Sequence, residues 1–204
     1  MHILQVNSSV RTHDSHSTQL ANELTQLLLE AHPGSSLVVR DLTTNPHPAV
    51  DEATLGALFT PAEHRTPEQA ARVAKDDALI GELMAADVVV MGAPMYNFGV
   101  PAQLKSWLDA VARAGVTFCY TEKGPVGLVH GKTAYVVSTR GGVHVGRGTD
   151  QVTPYLKTML GFLGMTDVRF IYAEGLAMGP RCRVLGMSNA RSQISRQVAV
   201  SQEV

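Results

Sequence analysis

Apolar positions along this chain follow two alternating rhythms. Short, nearly unbroken runs at 2–6, 37–39, 87–92, 133–138 and 168–173 read as strands buried on both faces. Between them lie stretches with helical spacing. Leu20, Leu24, Leu27, Leu28 and Ala31 share one face, and Val73, Ile80, Leu83 and Met84 another. Leu104, Trp107, Leu108 and Val111 mark a third helix; Val152, Tyr155, Leu156, Met159, Leu160 and Leu163 mark a fourth, starting at Asp150 or Thr153. Met187, Ile194 and Val198 place a last helix at about 182–200. Local chemistry sets several ends. Pro33-Gly34 stops the first helix, near Ser17 at its other end. Thr66-Pro67-Glu68-Gln69 offers an N-cap, a proline at the first helical position and a glutamine at the capping-box position. Pro101 is expected to open its helix in the same way.

Two stretches break the alternation. Residues 42–66 carry Pro46, Pro48, Gly56 and Pro61, with a short helix expected around 51–58. This reads as a long excursion with the character of a flap. Residues 114–130, with Gly115, the apolar-aromatic piece 116–120, Gly124-Pro125 and Gly127, read as irregular. The remainder predicts an α/β fold in one domain over 1–204: a doubly wound, five-stranded parallel sheet, order 2-1-3-4-5, with helices on both faces. In that order a ligand binds where strands 1 and 3 diverge, at their carboxyl ends.

Composition narrows the class. The 204 residues are 45% hydrophobic and 17% charged, which suits a globular protein. A net charge of −1 gives no electrostatic reason to expect nucleic acid or an anionic membrane. No apolar run approaches the roughly 20 residues of a membrane span. Residues 1–8 read as a strand rather than a signal peptide, so a cytoplasmic protein is expected. Cys119 and Cys182 are too isolated for a disulfide framework or a redox pair. Eight histidines lack ligand-like spacing, so no metal site is expected.

The candidate chemistry lies in the loops after strands 1, 3 and 4. The first, 7–17, brings Ser9, Ser15, His16 and Ser17 to a helix N-terminus, where free amides and the helix dipole favour a phosphate. Ser15 or Ser17 as a simple helix cap is the plainer alternative. No GxxxxGK[ST] or GxGxxG pattern is present there, against a nucleoside triphosphate or dinucleotide. The second loop, Pro94-Met95-Tyr96-Asn97-Phe98, is unusually apolar and aromatic for a connector and suits one wall of a flat ligand. The third loop has Thr139 to hydrogen-bond a ring edge and Gly141-Gly142, which let backbone approach closely. Arg140 is either a ligand contact or the partner of a carboxylate, and His144 either shapes a substrate mouth or is an ordinary loop residue. Tyr120 and Phe162 are packing residues unless a subunit boundary brings them to the site. Phosphate, spacer and flat ring together describe flavin mononucleotide (FMN).

Ser9, the Ser15-His16-Ser17 turn, Ala93 to Phe98, Pro101-Ala102-Gln103-Leu104-Lys105, Ala114 to Phe118 and Thr139 to Gly142 resemble the bacterial FMN-dependent NADH azoreductase and NAD(P)H quinone reductase family. Val152 to Leu156 and Phe162-Leu163-Gly164 extend the likeness along the chain. The resemblance implies a flavodoxin-like homodimer with two active sites at the subunit boundary, one FMN per subunit, and FMN contacts at Ser9, Ser15–Ser17, Met95–Phe98 and Thr139–Gly142. Cys119 departs from the basic residue expected after Phe118, which bears on substrate range and not on flavin binding.

These features imply ping-pong transfer of a hydride from NADH or NADPH, through FMN, to quinones, and in two rounds to azo compounds, giving amines. The flavin carries the chemistry, so no side chain is assigned as catalytic. The rival reading is a flavodoxin-type electron carrier without catalysis of its own. The 42–66 excursion and the 114–130 insertion favour a covered substrate pocket instead.

Overall fold

Strands and helices alternate as the apolar rhythm requires, and the computed structural model describes them over residues 1–201. In chain order they are β1 (His2–Asn7), α1 (His16–Ala31), β2 (Ser36–Asp41), α2 (Glu52–Phe59), α3 (Pro67–Ala85), β3 (Val88–Pro94), α4 (Ala102–Val111), β4 (Phe118–Thr121), β5 (Gly124–Gly127), β6 (Thr133–Thr139), α5 (Val152–Leu163), β7 (Asp167–Ala173) and α6 (Pro180–Ser201). Residues 202–204 of the expected 1–204 span lie outside the described residues. The main sheet runs β2-β1-β3-β6-β7, every pair parallel. Set aside the separate β4–β5 pair, and this is the expected 2-1-3-4-5 order. One face packs on α1 and α6 through Leu20, Leu24, Leu28, Ala190 and Ile194. The other packs on α3, α4 and α5 through Leu83, Trp107, Leu108, Leu156 and Leu160.

The helix starts follow local chemistry. Thr66 caps α3 while the Gln69 side chain accepts the Thr66 N–H at 3.0 Å, the expected capping box. Pro101 is the N-cap of α4 rather than its first residue, its carbonyl accepting the Lys105 N–H at 3.1 Å. Two side chains assigned to buried faces point outward: Leu27 on α1 and Met84 on α3 are exposed. β2 is an edge strand, so Leu37, Val38 and Val39 are exposed where a strand covered on both faces was expected.

The two irregular stretches prove to be built. Residues 114–130 contain the antiparallel hairpin β4–β5, with Phe118 opposite Gly127 and Tyr120 opposite Pro125. Proline and glycine in β5 hid it, because both depress a strand signal. The hairpin sits on the end of α5: a Cβ on Gly127 would lie 2.1 Å from the Gly164 amide nitrogen, so only glycine fits. The 42–66 excursion forms α2 and a short 3-10 turn and docks on α3. Asp76 on α3, 2% exposed, holds it: its carboxylate meets His47 Nε2 at 2.7 Å, Arg72 Nη1, and Arg113 Nη2 at 3.3 Å.

Candidate active site

Parallel pairing aligns the carboxyl ends of the strands. Asn7 stands opposite Gly92, Pro94 opposite Thr139, and Thr139 opposite Ala173. Backbone bonds carry this past the strand ends: Ser8 N–H donates to Gly92 O at 3.2 Å, Met95 N–H to Thr139 O at 2.9 Å, and Arg140 N–H to Ala173 O at 2.9 Å. The loops after β1, β3 and β6 therefore meet, and a cleft of about 310 Å3 opens between them.

Most of the site residues expected from sequence line that cleft: Ser9, Ser15, His16 and Ser17 from the first loop, Pro94, Met95 and Tyr96 from the second, Thr139, Arg140 and Gly141 from the third. Asn97, Phe98, Gly142 and His144 flank the cleft without lining it. Tyr120 and Phe162 lie elsewhere in the chain, grouped around Phe118, whose ring centroid is 4.4 Å from that of Phe162 and 5.5 Å from that of Tyr120. Residues 42–66 do not line the cleft.

One end of the cleft is made for an anion. Ser15 caps α1, its hydroxyl accepting the Thr18 N–H at 3.3 Å and lying 3.2 Å from the Ser17 hydroxyl. His16 and Ser17 begin the helix, so their amides have no carbonyl to meet within it. Arg11 and Arg183 line the same end, with Asp14. Burial, then the cations Arg183 and Arg11, hold His16 below the usual histidine pKa against the pull of Asp14. A positive field with free amides and hydroxyls is what a phosphate monoester needs.

The other end is bordered by a closed turn. Tyr96 and Gly99 exchange both backbone hydrogen bonds at 3.0 Å, closing a two-residue turn on Asn97 (φ +49°) and Phe98 (φ +69°). Both central residues are left-handed, the primed hairpin geometry that glycine usually supplies. A phenylalanine there is strained, and such strain gathers at functional sites. The exposed Phe98 ring meets His144 edge-on at 5.9 Å. The Tyr96 hydroxyl accepts the Val10 N–H at 3.3 Å and lies 3.2 Å from the Ser9 hydroxyl, which stitches the first two loops together.

Arg140 has carboxylate partners within the fold while it also lines the cleft. Its side chain is fully buried, with Nη2 at 2.9 Å from Asp150 and 2.8 Å from the Thr153 hydroxyl, and the guanidinium over the Tyr172 ring. Nη1 makes no hydrogen bond and faces Glu174 at 3.5 Å. Burial raises the Asp150 pKa, but the bonds from Arg140 and Thr153 outweigh it and keep the carboxylate ionised at lower pH than usual.

Five lining residues were not singled out from sequence. Arg11 and Asp14 lie inside the first loop, where a cation beside the serines was a readable signal. Leu176, Ala177 and Arg183 come from beyond β7, where no polar pattern marks them. They arrive because Leu176 N–H donates to Arg140 O at 3.1 Å and Ala177 N–H to Gly141 O at 3.0 Å, while Arg183 Nε donates to Leu176 O at 3.1 Å.

A family model described as a flavodoxin-like fold matches residues 1–198. The chain is 56% identical over 199 residues to a protein of Dechloromonas aromatica named FMN-dependent NADH:quinone oxidoreductase, covering 98% of this chain and 100% of that one. A protein of the same name from Leptothrix cholodnii is 59% identical over 199 residues, covering 96% and 95%. Among solved structures, an azoreductase from Bacillus anthracis superposes with a TM-score of 0.86 at 28% identity, over 100% of both chains.

Proposed function

The chain belongs to the flavodoxin-like family of the FMN-dependent NADH:quinone oxidoreductases, and on that premise we propose that it is a cytoplasmic, single-domain enzyme that binds FMN in the cleft and reduces quinones and aromatic azo compounds. The observation that carries this is the pairing, in one cleft, of a helix start rich in hydroxyls, free amides and cations with the wall formed by Pro94, Met95 and Tyr96. Ser15, Ser17, the first amides of α1, Arg11 and Arg183 would hold the phosphate. Met95, Tyr96 and the 97–98 turn would support the ring, with Gly141 and Gly142 giving backbone access to its polar edge. FMN, if bound there, would supply two-electron redox chemistry, and one cleft serving NADH or NADPH and then a quinone or, in two rounds, an azo compound would give ping-pong kinetics. The protein's share is to bind, orient and shelter. The bond between Tyr96 and Ser9 keeps the two halves of the cradle at fixed spacing. Phe98 and His144 narrow the mouth, restricting acceptors to flat molecules.

A homodimer completes the proposal. On the hairpin Val126 is 44% and Tyr120 75% exposed, and just before it Val116 is 45% exposed, an apolar patch costly to leave in water. In the dimer this patch would bring Tyr120 and Phe162 to a site at the subunit boundary, and Cys119, next to Tyr120 on β4, would tune the range of acceptors.

Purified protein mixed with FMN and desalted should keep flavin absorbance, and NADH alone should bleach it rapidly in stopped flow. A colourless product would sink the cofactor assignment. A bound flavin that NADH does not reduce would favour the electron-carrier reading instead.

A further inference from the structure

Glu174 follows β7 and does not line the cleft, yet it governs one of the cleft's walls. Its Oε1 accepts the N–H groups of His144 at 2.6 Å and Val145 at 2.9 Å. The same oxygen lies 3.5 Å from Nη1 of the buried Arg140, the guanidinium atom that makes no hydrogen bond. Backbone bonds from Leu176 to Arg140, Ala177 to Gly141 and Gly175 to Gly142 zip the 174–177 segment to the loop after β6. The zip ends at Gly142. Among the described residues, the amides of His144 and Val145 are taken by Glu174 alone.

We infer that Glu174 is a positioning residue: a carboxylate outside the cleft that fixes the loop just past Gly142, at His144 and Val145, beside the ring end of the cradle. The inference rests on the FMN reading given above. Its physical ground is that an ionised acceptor makes hydrogen bonds roughly twice as strong as a neutral one and also balances Arg140, whose other anionic partner among the described residues is Asp150. Losing Glu174 would free two amides and leave half of the guanidinium uncompensated. The phosphate end, built on α1, Arg11 and Arg183, would be untouched.

The test has two arms. In the protein without flavin, amide hydrogen exchange is followed for wild type, Glu174→Ala and Glu174→Gln. Glu174→Ala should speed exchange at His144 and Val145 by about tenfold or more, the size expected for losing an acceptor of this kind. Val136 and Val137 in β6 should exchange as before, and Glu174→Gln, which keeps an acceptor oxygen, should restore most of the protection. In the second arm, FMN and riboflavin are titrated by fluorescence quenching. Glu174→Ala should weaken both by the same factor, about tenfold, because it disturbs the ring end that the two ligands share. Unchanged exchange at 144 and 145, equal acceleration throughout β6, or a loss confined to FMN would each overturn the inference. If wild type binds neither flavin while the exchange pattern appears as expected, the clamp stands and the cofactor reading falls.

Discussion

Phe98 is the residue whose backbone and side chain are most clearly in conflict. Its φ of +69° is a conformation that disfavours a bulky L residue. Phe98→Gly should therefore raise stability by about 1 kcal/mol, read as a higher Tm, while weakening quinone turnover through loss of the exposed ring. A variant that gained stability and kept full turnover would show that the strain serves nothing at the site. His16 offers a second single-residue readout. Burial and the neighbouring arginines push its pKa below 6.5, so between that lowered value and 6.5 the folded chain binds fewer protons than the unfolded one. Folding stability from this group should fall as pH drops through 6.5. A phosphate seated beside His16 adds a negative charge, which raises the imidazole pKa. Histidine NMR titration should show FMN raising it and riboflavin leaving it in place. Equal effects of the two ligands would move the phosphate away from α1.

Among the elements, the β4–β5 hairpin and the docked excursion each have one contact that a single substitution can test. Gly127→Ala would drive a methyl group to 2.1 Å from the Gly164 nitrogen, so the hairpin must lift off the end of α5. The expected cost is about 2–3 kcal/mol, visible as a lower urea midpoint. A wild-type midpoint would mean that the hairpin is not seated there. On the opposite flank, Asp76 gathers His47, Arg72 and Arg113 while almost wholly buried. Asp76→Ala should cost about 2–3 kcal/mol, since it leaves the half-buried Arg72 and His47 without their carboxylate partner, while Arg113 keeps Asp77. Burial, joined by the cations Arg72 and Lys75, lowers the His47 pKa against the pull of Asp76, so protonation there, too, works against the fold below pH 6.5.

For the whole molecule, the prediction is assembly. Sedimentation at micromolar concentration should give a species near twice 21.9 kDa, and Tyr120→Asp should shift it towards the monomer by placing a charge in the apolar patch. A wild-type monomer would remove the reason for Tyr120 and Phe162 to serve any site. The described helices include none long and apolar enough to cross a membrane.

The order of strands and helices, the three loops that meet, and the capping box at Thr66 were legible in the amino-acid sequence, because each depends on periodicity or on side chains within a few residues of one another. The hairpin was not, since its pairing outweighs the poor strand propensity of Gly124 and Pro125 only once β4 lies beside it. Nor was the turn of Arg140 towards Asp150 and Glu174, or the arrival of Leu176, Ala177 and Arg183 at the cleft. Those depend on contacts between segments distant along the chain, where burial and charge pairing decide what a residue faces, and no local pattern encodes that.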